Sequence, residues 1–181
     1  MLILASASPR RHELLLAAGM EHIVRPVDIR EDRLPDETPT AYVQRLAEEK
    51  ASALQCGPGD VVLGADTVVC LDELVFGKPA DAEDARRMLR LLSARDHWVR
   101  TGICLLTPAK RIIDFAETKV SFERLTESEI EEYTRSGEPR DKAGAYAIQG
   151  LAAKFVRSIE GCYYNVVGLP ISLIYRRLKE L

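Results

Sequence analysis

The strongest constraint on the fold is a pair of long extended runs, residues 98–106 and 111–123, joined near Pro108-Ala109 in the middle of the chain. Such runs read as neighbouring antiparallel strands. Around them, apolar strand-like runs alternate with amphipathic helical segments. That alternation defines an α/β protein with a mixed sheet, and the central pair argues against a purely doubly wound parallel one. The chain shows no internal repeat, low-complexity tract or linker, and its 181 residues fit one domain, 1–181.

Local signals place the other elements. Residues 2–5 form a short apolar run and read as a strand, followed by a helix over 9–18. Residues 23–27 read as a second strand, and 28–37 as an acidic loop containing Glu31. Thr38 then caps a helix with Pro39 at its first position, an apolar face of Val43, Leu46, Ala47, Ala51 and Leu54, and Lys50 on the same helix. Residues 61–63 read as a central strand running into Gly64-Ala65-Asp66-Thr67, and residues 68–71 and 74–76 as a hairpin around Asp72-Glu73. A helix starts at Asp81, and Thr126-Glu127-Ser128-Glu129 is a capping box opening another that ends at Gly137. Residues 138–150 are loop-rich, 155–159 read as a strand, and 169–181 as a closing helix.

Composition removes several classes of function. A net charge of −3 gives no support for broad nucleic-acid binding. Cys56, Cys70, Cys104 and Cys162 form no C-x-x-C pair and no zinc spacing, which fits spectator thiols in a reducing cytoplasm. No apolar stretch approaches the roughly 20 residues needed to span a bilayer, and no secretory signal is evident. The expected setting is therefore cytoplasmic, without membrane or nucleic-acid partners.

Chemistry concentrates in a few places. Ser6-Ala7-Ser8-Pro9-Arg10-Arg11 puts two hydroxyls and two guanidinium groups where a strand turns into a helix, with Ser8 at the N-cap and Pro9 at the first helical position. Helix-start N–H groups and arginine forks suit phosphate oxygens; a capped helix with two surface arginines satisfies the pattern equally. Asp66 is expected just past the end of an apolar strand, where open α/β sheets commonly bind ligands, with Gly64 letting a ligand approach the backbone. Arg10, Arg11, Lys50 and Lys78 are candidates to neutralise polyphosphate oxygens, and Asp66 and Glu31 to hold a divalent cation or orient a water. No phosphate-binding loop, dinucleotide fingerprint, nucleophile elbow or histidine triad is present. His12 reads as an exposed helix residue and His97 as structural.

Taken together, Ser6-Ala7-Ser8-Pro9-Arg10-Arg11, Gly64-Ala65-Asp66-Thr67, Gly77-Lys78-Pro79, Asp141-Lys142-Ala143-Gly144-Ala145-Tyr146 with Ile148-Gln149-Gly150, and Val166-Val167-Gly168-Leu169-Pro170 resemble the signature blocks of the Maf family. They occur in the family's order and span essentially the whole chain. The resemblance implies a fold similar to the inosine triphosphate pyrophosphatases: an elongated mixed sheet flanked by helices, and two lobes with a central cleft. It also implies a nucleoside triphosphate pyrophosphatase that cleaves between the α and β phosphates with Mg²⁺ or Mn²⁺.

Carried onto matching positions, Asp66 is the proton acceptor, and Glu31, Lys50 and Lys78 complete the catalytic set. Asp66 and Glu31 are the metal ligands, and Ser8, Arg10, Arg11, Thr67 and Gln149 bind substrate. The Gly-Ala-Asp-Thr and Ile-Gln-Gly variants look like the subgroup acting on dTTP and UTP; a sister subgroup acting on 7-methyl-GTP carries a different residue after the catalytic aspartate. A Gln149 amide both accepts and donates, as pairing with a thymine or uracil edge requires. A Gly is common in the family where this chain has Ala94, which puts a local turn in doubt. The resemblance is compatible with a homodimer. The alternative reading is a non-catalytic nucleotide-binding regulator of cell division, since the family was first named for inhibiting septum formation.

Overall fold

The computed structural model describes residues 1–181. Strands β1 (Leu2–Leu4), β2 (His22–Val24), β3 (Val61–Leu71), β4 (Leu74–Phe76), β5 (Asp96–Leu106), β6 (Arg111–Phe122) and β7 (Val156–Glu160) form one sheet in the order β2-β1-β3-β5-β6-β7, with β4 pairing to β3. Helices α1 (Pro9–Ala17), α2 (Pro39–Ser52), α3 (Ala82–Leu92), α4 (Glu127–Arg135), α5 (Tyr163–Val167) and α6 (Ile171–Leu178) complete the α/β arrangement. No helix is long and apolar enough to cross a membrane. The chain divides into two compact units: Met1–Asp66, Thr101–Ala116 and Gly168–Leu181 form the first, and Thr67–Arg100 and Glu117–Val167 the second.

In the first unit, β1 lies parallel between β2 and β3, with Leu2 opposite both His22 and Val61. Parallel neighbours require crossover connections, and α1 and α2 supply them. Helix α2 begins as its sequence indicates: Thr38 accepts a hydrogen bond from the Ala41 N–H, and Pro39 occupies the first turn. Its inner face, Val43, Leu46, Ala47 and Ala51, is completely buried. Each of the larger side chains there contributes roughly 1.5–3 kcal/mol through burial. Ile3, Ala5, Val62 and Cys104 join Ala47 and Ala51 in the core.

The second unit holds the β3–β4 hairpin, in which Val69 pairs with Phe76 and Leu71 with Leu74. Asp81 caps α3 through the Asp84 N–H, and Thr126 and Glu129 form the expected capping box on α4. An aromatic core of Phe122, Tyr133, Tyr146 and Phe155 packs with Leu89, Leu92 and Ile130. His97 is buried within it, edge-on to Phe122 and Tyr146, and burial lowers its pKa to about 4.

Several expectations are corrected. Asp66 does not follow a strand; it lies in the middle of eleven-residue β3, because Ala65 before it and residues 68–71 after it are buried and the ladder continues through Leu71. Gly64 makes room for a helix rather than for a ligand. A Cβ there would stand 2.0 Å from the Ala47 carbonyl oxygen and 2.8 Å from the Ala51 nitrogen. Ser8 is at the N-cap of α1, but its side chain makes no capping hydrogen bond. His12 is half-buried, with its Nδ1 2.8 Å from His22 Nε2. The second strand is shorter than expected, residues 138–141, 143–145 and 151–155 wind into short 3₁₀ turns, the closing helix shortens to α6, and α5 before Gly168 was not expected.

Candidate active site

The first unit gathers a compact charged cluster. Asp66 projects from β3, Lys50 from the last turn of α2, and Glu31 from the loop preceding that helix. Lys50 Nζ donates to Asp66 Oδ1 at 2.6 Å and pairs with Glu31 Oε1 at 2.6 Å. Asp66 is 7 % exposed and Lys50 8 %, so this pair is largely out of water, whereas Glu31 opens to solvent. Tyr42, two turns before Lys50 on α2, donates its hydroxyl to the Glu31 carbonyl oxygen at 2.5 Å and thereby fixes the loop. Burial, assisted by the charges of Asp66 and Glu31, raises the Tyr42 pKa to about 12, so this hydroxyl keeps its proton at neutral pH.

Arg11 reaches the same place from α1. Its Nε donates to the Gly168 carbonyl at 3.0 Å, and one terminal nitrogen donates to Ser6 Oγ at 3.2 Å and to the Ala65 carbonyl at 2.8 Å. Part of its fork is thus committed to protein oxygens, where it ties the β1–α1 turn to the backbone beside Asp66. The charge still acts across the cluster, because the Arg11 ionisation feels Asp66, Arg10 and Glu31. Burial is the largest influence on Arg11 and lowers its pKa.

Opposing influences act on the Asp66 carboxyl. Burial is the largest influence and pushes its carboxyl above the ordinary aspartate value; Glu31 pushes the same way, while Lys50 and Arg11 pull it down. The net shift is upward. A carboxylate pushed above its ordinary value is a better proton acceptor than an ordinary surface aspartate.

The remaining sequence candidates lie as follows. Arg10 and Ser8 are half-buried at the start of α1, where the Arg10 charge is felt by Arg11. Thr67, Lys78 and Gln149 belong to the second unit: Thr67 is half-buried on β3, and Lys78 and Gln149 are exposed. Sequence reading missed Tyr42 and the roles of Ser6 and of the Ala65 and Gly168 carbonyls. Tyr42 was discoverable, since residues 42, 46 and 50 recur at helical spacing. The carbonyls were not, because backbone acceptors leave no mark in a sequence.

Two carboxylates converging on one positive group fit a divalent cation in chemical type. Mg²⁺ is commonly held by one or two carboxylates, with substrate phosphates and water completing the shell. No cluster of three or more His, Cys, Asp or Glu side chains forms an all-protein metal cage.

The strand order, flanking helices and full-length extent define a fold shared with the Ham1 proteins. The Staphylococcus aureus Ham1 structure superposes with a TM-score of 0.55 at 12% identity, covering 99% of this chain and 98% of that one. A HAM1 protein from Coxiella burnetii gives 0.52 at 17% identity over 99% and 98% of the two chains. Within that class the sequence is more particular: the model of the Maf-like proteins matches residues 1–181, and the chain belongs to the Maf family. A relative in Koribacter versatilis, named dTTP/UTP pyrophosphatase, is 49% identical over 180 residues, covering 99% of this chain and 93% of its own. One of the same name in Anaeromyxobacter dehalogenans strain 2CP-C is 53% identical over 175 residues, covering 94% and 89%.

Proposed function

We propose that this protein is a nucleoside triphosphate pyrophosphatase acting on dTTP and UTP, with the whole chain, 1–181, as its functional domain. One observation supports the chemistry: a buried Asp66, its carboxyl pushed above the ordinary aspartate value by burial, is held 2.6 Å from Lys50, which also engages Glu31, with the Arg11 charge in electrostatic reach. The names of the close relatives support the choice of substrate.

Asp66 takes a proton from a water as its oxygen attacks the α-phosphorus. The α–β bridging oxygen leaves with pyrophosphate, and the nucleoside monophosphate remains. Lys50 keeps the carboxylate oriented and sets its ammonium beside the place where negative charge develops on the phosphoryl oxygens. Arg10 binds the phosphate tail, and Ser8 contributes a hydroxyl at the same helix start. Arg11 holds the Ala65 carbonyl and hence the backbone from which Asp66 projects. Asp66 and Glu31 would hold a divalent cation, Mg²⁺ or Mn²⁺, which supplies charge neutralisation to the phosphates and acidity to bound water.

Lys78 is assigned to the phosphates, and Thr67 and Gln149 to base selection, on the motif match alone. A cytoplasmic location and a homodimer accord with this reading. The test is pyrophosphate release from dTTP, UTP and the purine triphosphates by the purified protein with Mg²⁺ or Mn²⁺. Hydrolysis of the pyrimidine nucleotides, lost by a factor of about 10³ in Asp66→Asn, is expected. Binding without turnover would establish the non-catalytic regulator instead.

A further inference from the structure

The segment bearing Gln149 is held at both ends by side chains the proposed chemistry does not use. Residues 147–150 form a tight turn in which the Gly150 N–H donates to the Ala147 carbonyl at 3.1 Å. On its N-terminal side, Tyr146 is buried and its hydroxyl lies 2.8 Å from His97 Nε2. The next N–H, that of Ala147, donates to the Tyr133 hydroxyl at 3.3 Å. On the other side, the Leu151 N–H donates to Glu138 Oε2 at 3.0 Å. Tyr133 and Glu138 are themselves joined, the hydroxyl donating to Oε1 at 2.9 Å. A single carboxylate–phenol unit therefore pins the backbone both before and after the turn.

The fit is close. A Cβ on Gly150 would lie 2.3–2.4 Å from the Glu138 carboxyl atoms, so only glycine lets the carboxylate sit against the turn. Tyr133 is buried and packs edge-on to Phe155, which makes it a rigid post. Gln149, at the tip, is exposed. An amide that reads the donor–acceptor edge of a base must be presented at a defined position, because loosening by about 1 Å is enough to lose much of a positional effect.

We infer that Glu138 and Tyr133 are positioning residues for substrate selection, clamping the 147–150 turn so that Gln149 meets the base in one orientation. The inference rests on the reading of Gln149 as the base-selecting residue. The clamp adds nothing to phosphate chemistry, so its loss affects KM and base preference rather than kcat.

The experiment compares the parent with Glu138→Ala, Glu138→Gln, Tyr133→Phe and Gly150→Ala. Steady-state kinetics on dTTP and dATP are read beside amide hydrogen exchange at residues 147 and 151. Glu138→Ala should raise the KM for dTTP by about tenfold with kcat nearly unchanged, and lower the dTTP-to-dATP ratio of kcat/KM by a similar factor. The amides of residues 147 and 151 should lose protection. Glu138→Gln keeps an acceptor for Leu151 and a partner for Tyr133, and should restore most of the preference. Gly150→Ala displaces an intact carboxylate and should reproduce the alanine phenotype even if Glu138→Ala fails to fold. Equal losses on both nucleotides, a fall in kcat alone, or unchanged protection at both amides would overturn the inference. If the parent does not hydrolyse dTTP, the functional reading fails; equilibrium binding of dTTP against dATP then decides the clamp in the same variants.

Discussion

Replacing Gly64 by alanine should damage stability and catalysis together. The added methyl would lie 2.0 Å from the Ala47 carbonyl oxygen, 2.8 Å from the Ala51 nitrogen and 3.1 Å from the Ala47 carbonyl carbon. All three are backbone atoms of α2, so no side chain can rotate away. Carbon contacts settle near 3.5 Å, so helix and strand must part by roughly 1.5 Å. Overpacking of this kind costs about 3 kcal/mol, which for a chain of this length lowers Tm by roughly 6–12 °C. The same displacement moves Lys50, three residues beyond Ala47, away from Asp66, and a misplacement of about 1 Å is worth on the order of 100-fold in rate. Thermal unfolding by circular dichroism gives the first number. Pyrophosphate release well below the variant's Tm gives the second, free of unfolded protein. A variant melting within about 2 °C of the parent would refute the close approach of α2 to β3. A destabilised variant with full kcat would refute the coupling of that contact to the catalytic pair.

Three further outcomes are expected. Asp66→Asn should be more stable than the parent at neutral pH, although inactive. The folded-state pKa of Asp66 lies above its unfolded value, so its stabilising contribution is present in acid and lost as pH rises through the folded pKa; denaturation midpoints of parent and variant should converge as pH falls, and a constant difference would contradict this. Ala94, with φ of 56°, holds a left-handed conformation that favours glycine, so Ala94→Gly should add about 1 kcal/mol and raise Tm by roughly 3 °C, and a lowered Tm would show that the turn is not strained. Tyr42→Phe removes the hydroxyl that holds the Glu31 carbonyl; kcat/KM should fall by up to about tenfold while stability changes by no more than about 1 kcal/mol, and an unaltered rate would free the Glu31 loop from any positioning role.

Local signals carried the secondary structure where one pattern dominated. The Thr38-Pro39 start of α2, the capping box of α4 and the β3–β4 hairpin each follow from a few adjacent residues. The middle of β3 did not, because Gly64 and Asp66 have weak strand preference and burial on both faces of the strand overrides it. The motif blocks named the charged residues of the site, but not how they meet. Lys50 and Asp66 touch across sixteen positions, and Arg11 reaches Gly168 across 157. Contacts at such separations are set by the crossover topology, which no local window contains. The commitment of Arg11 to protein oxygens was hidden for the same reason.

Carbon-13 NMR titration of the Asp66 carboxyl is the most direct test, its resonance assigned by disappearance in Asp66→Asn. A midpoint clearly above the roughly 3.9 of an unperturbed aspartate, matching an acid limb in kcat/KM for dTTP, is expected of a buried base. A midpoint at or below that value would mean that Lys50 and Arg11 outweigh burial, leaving Asp66 a fixed anion rather than the acceptor of the water's proton.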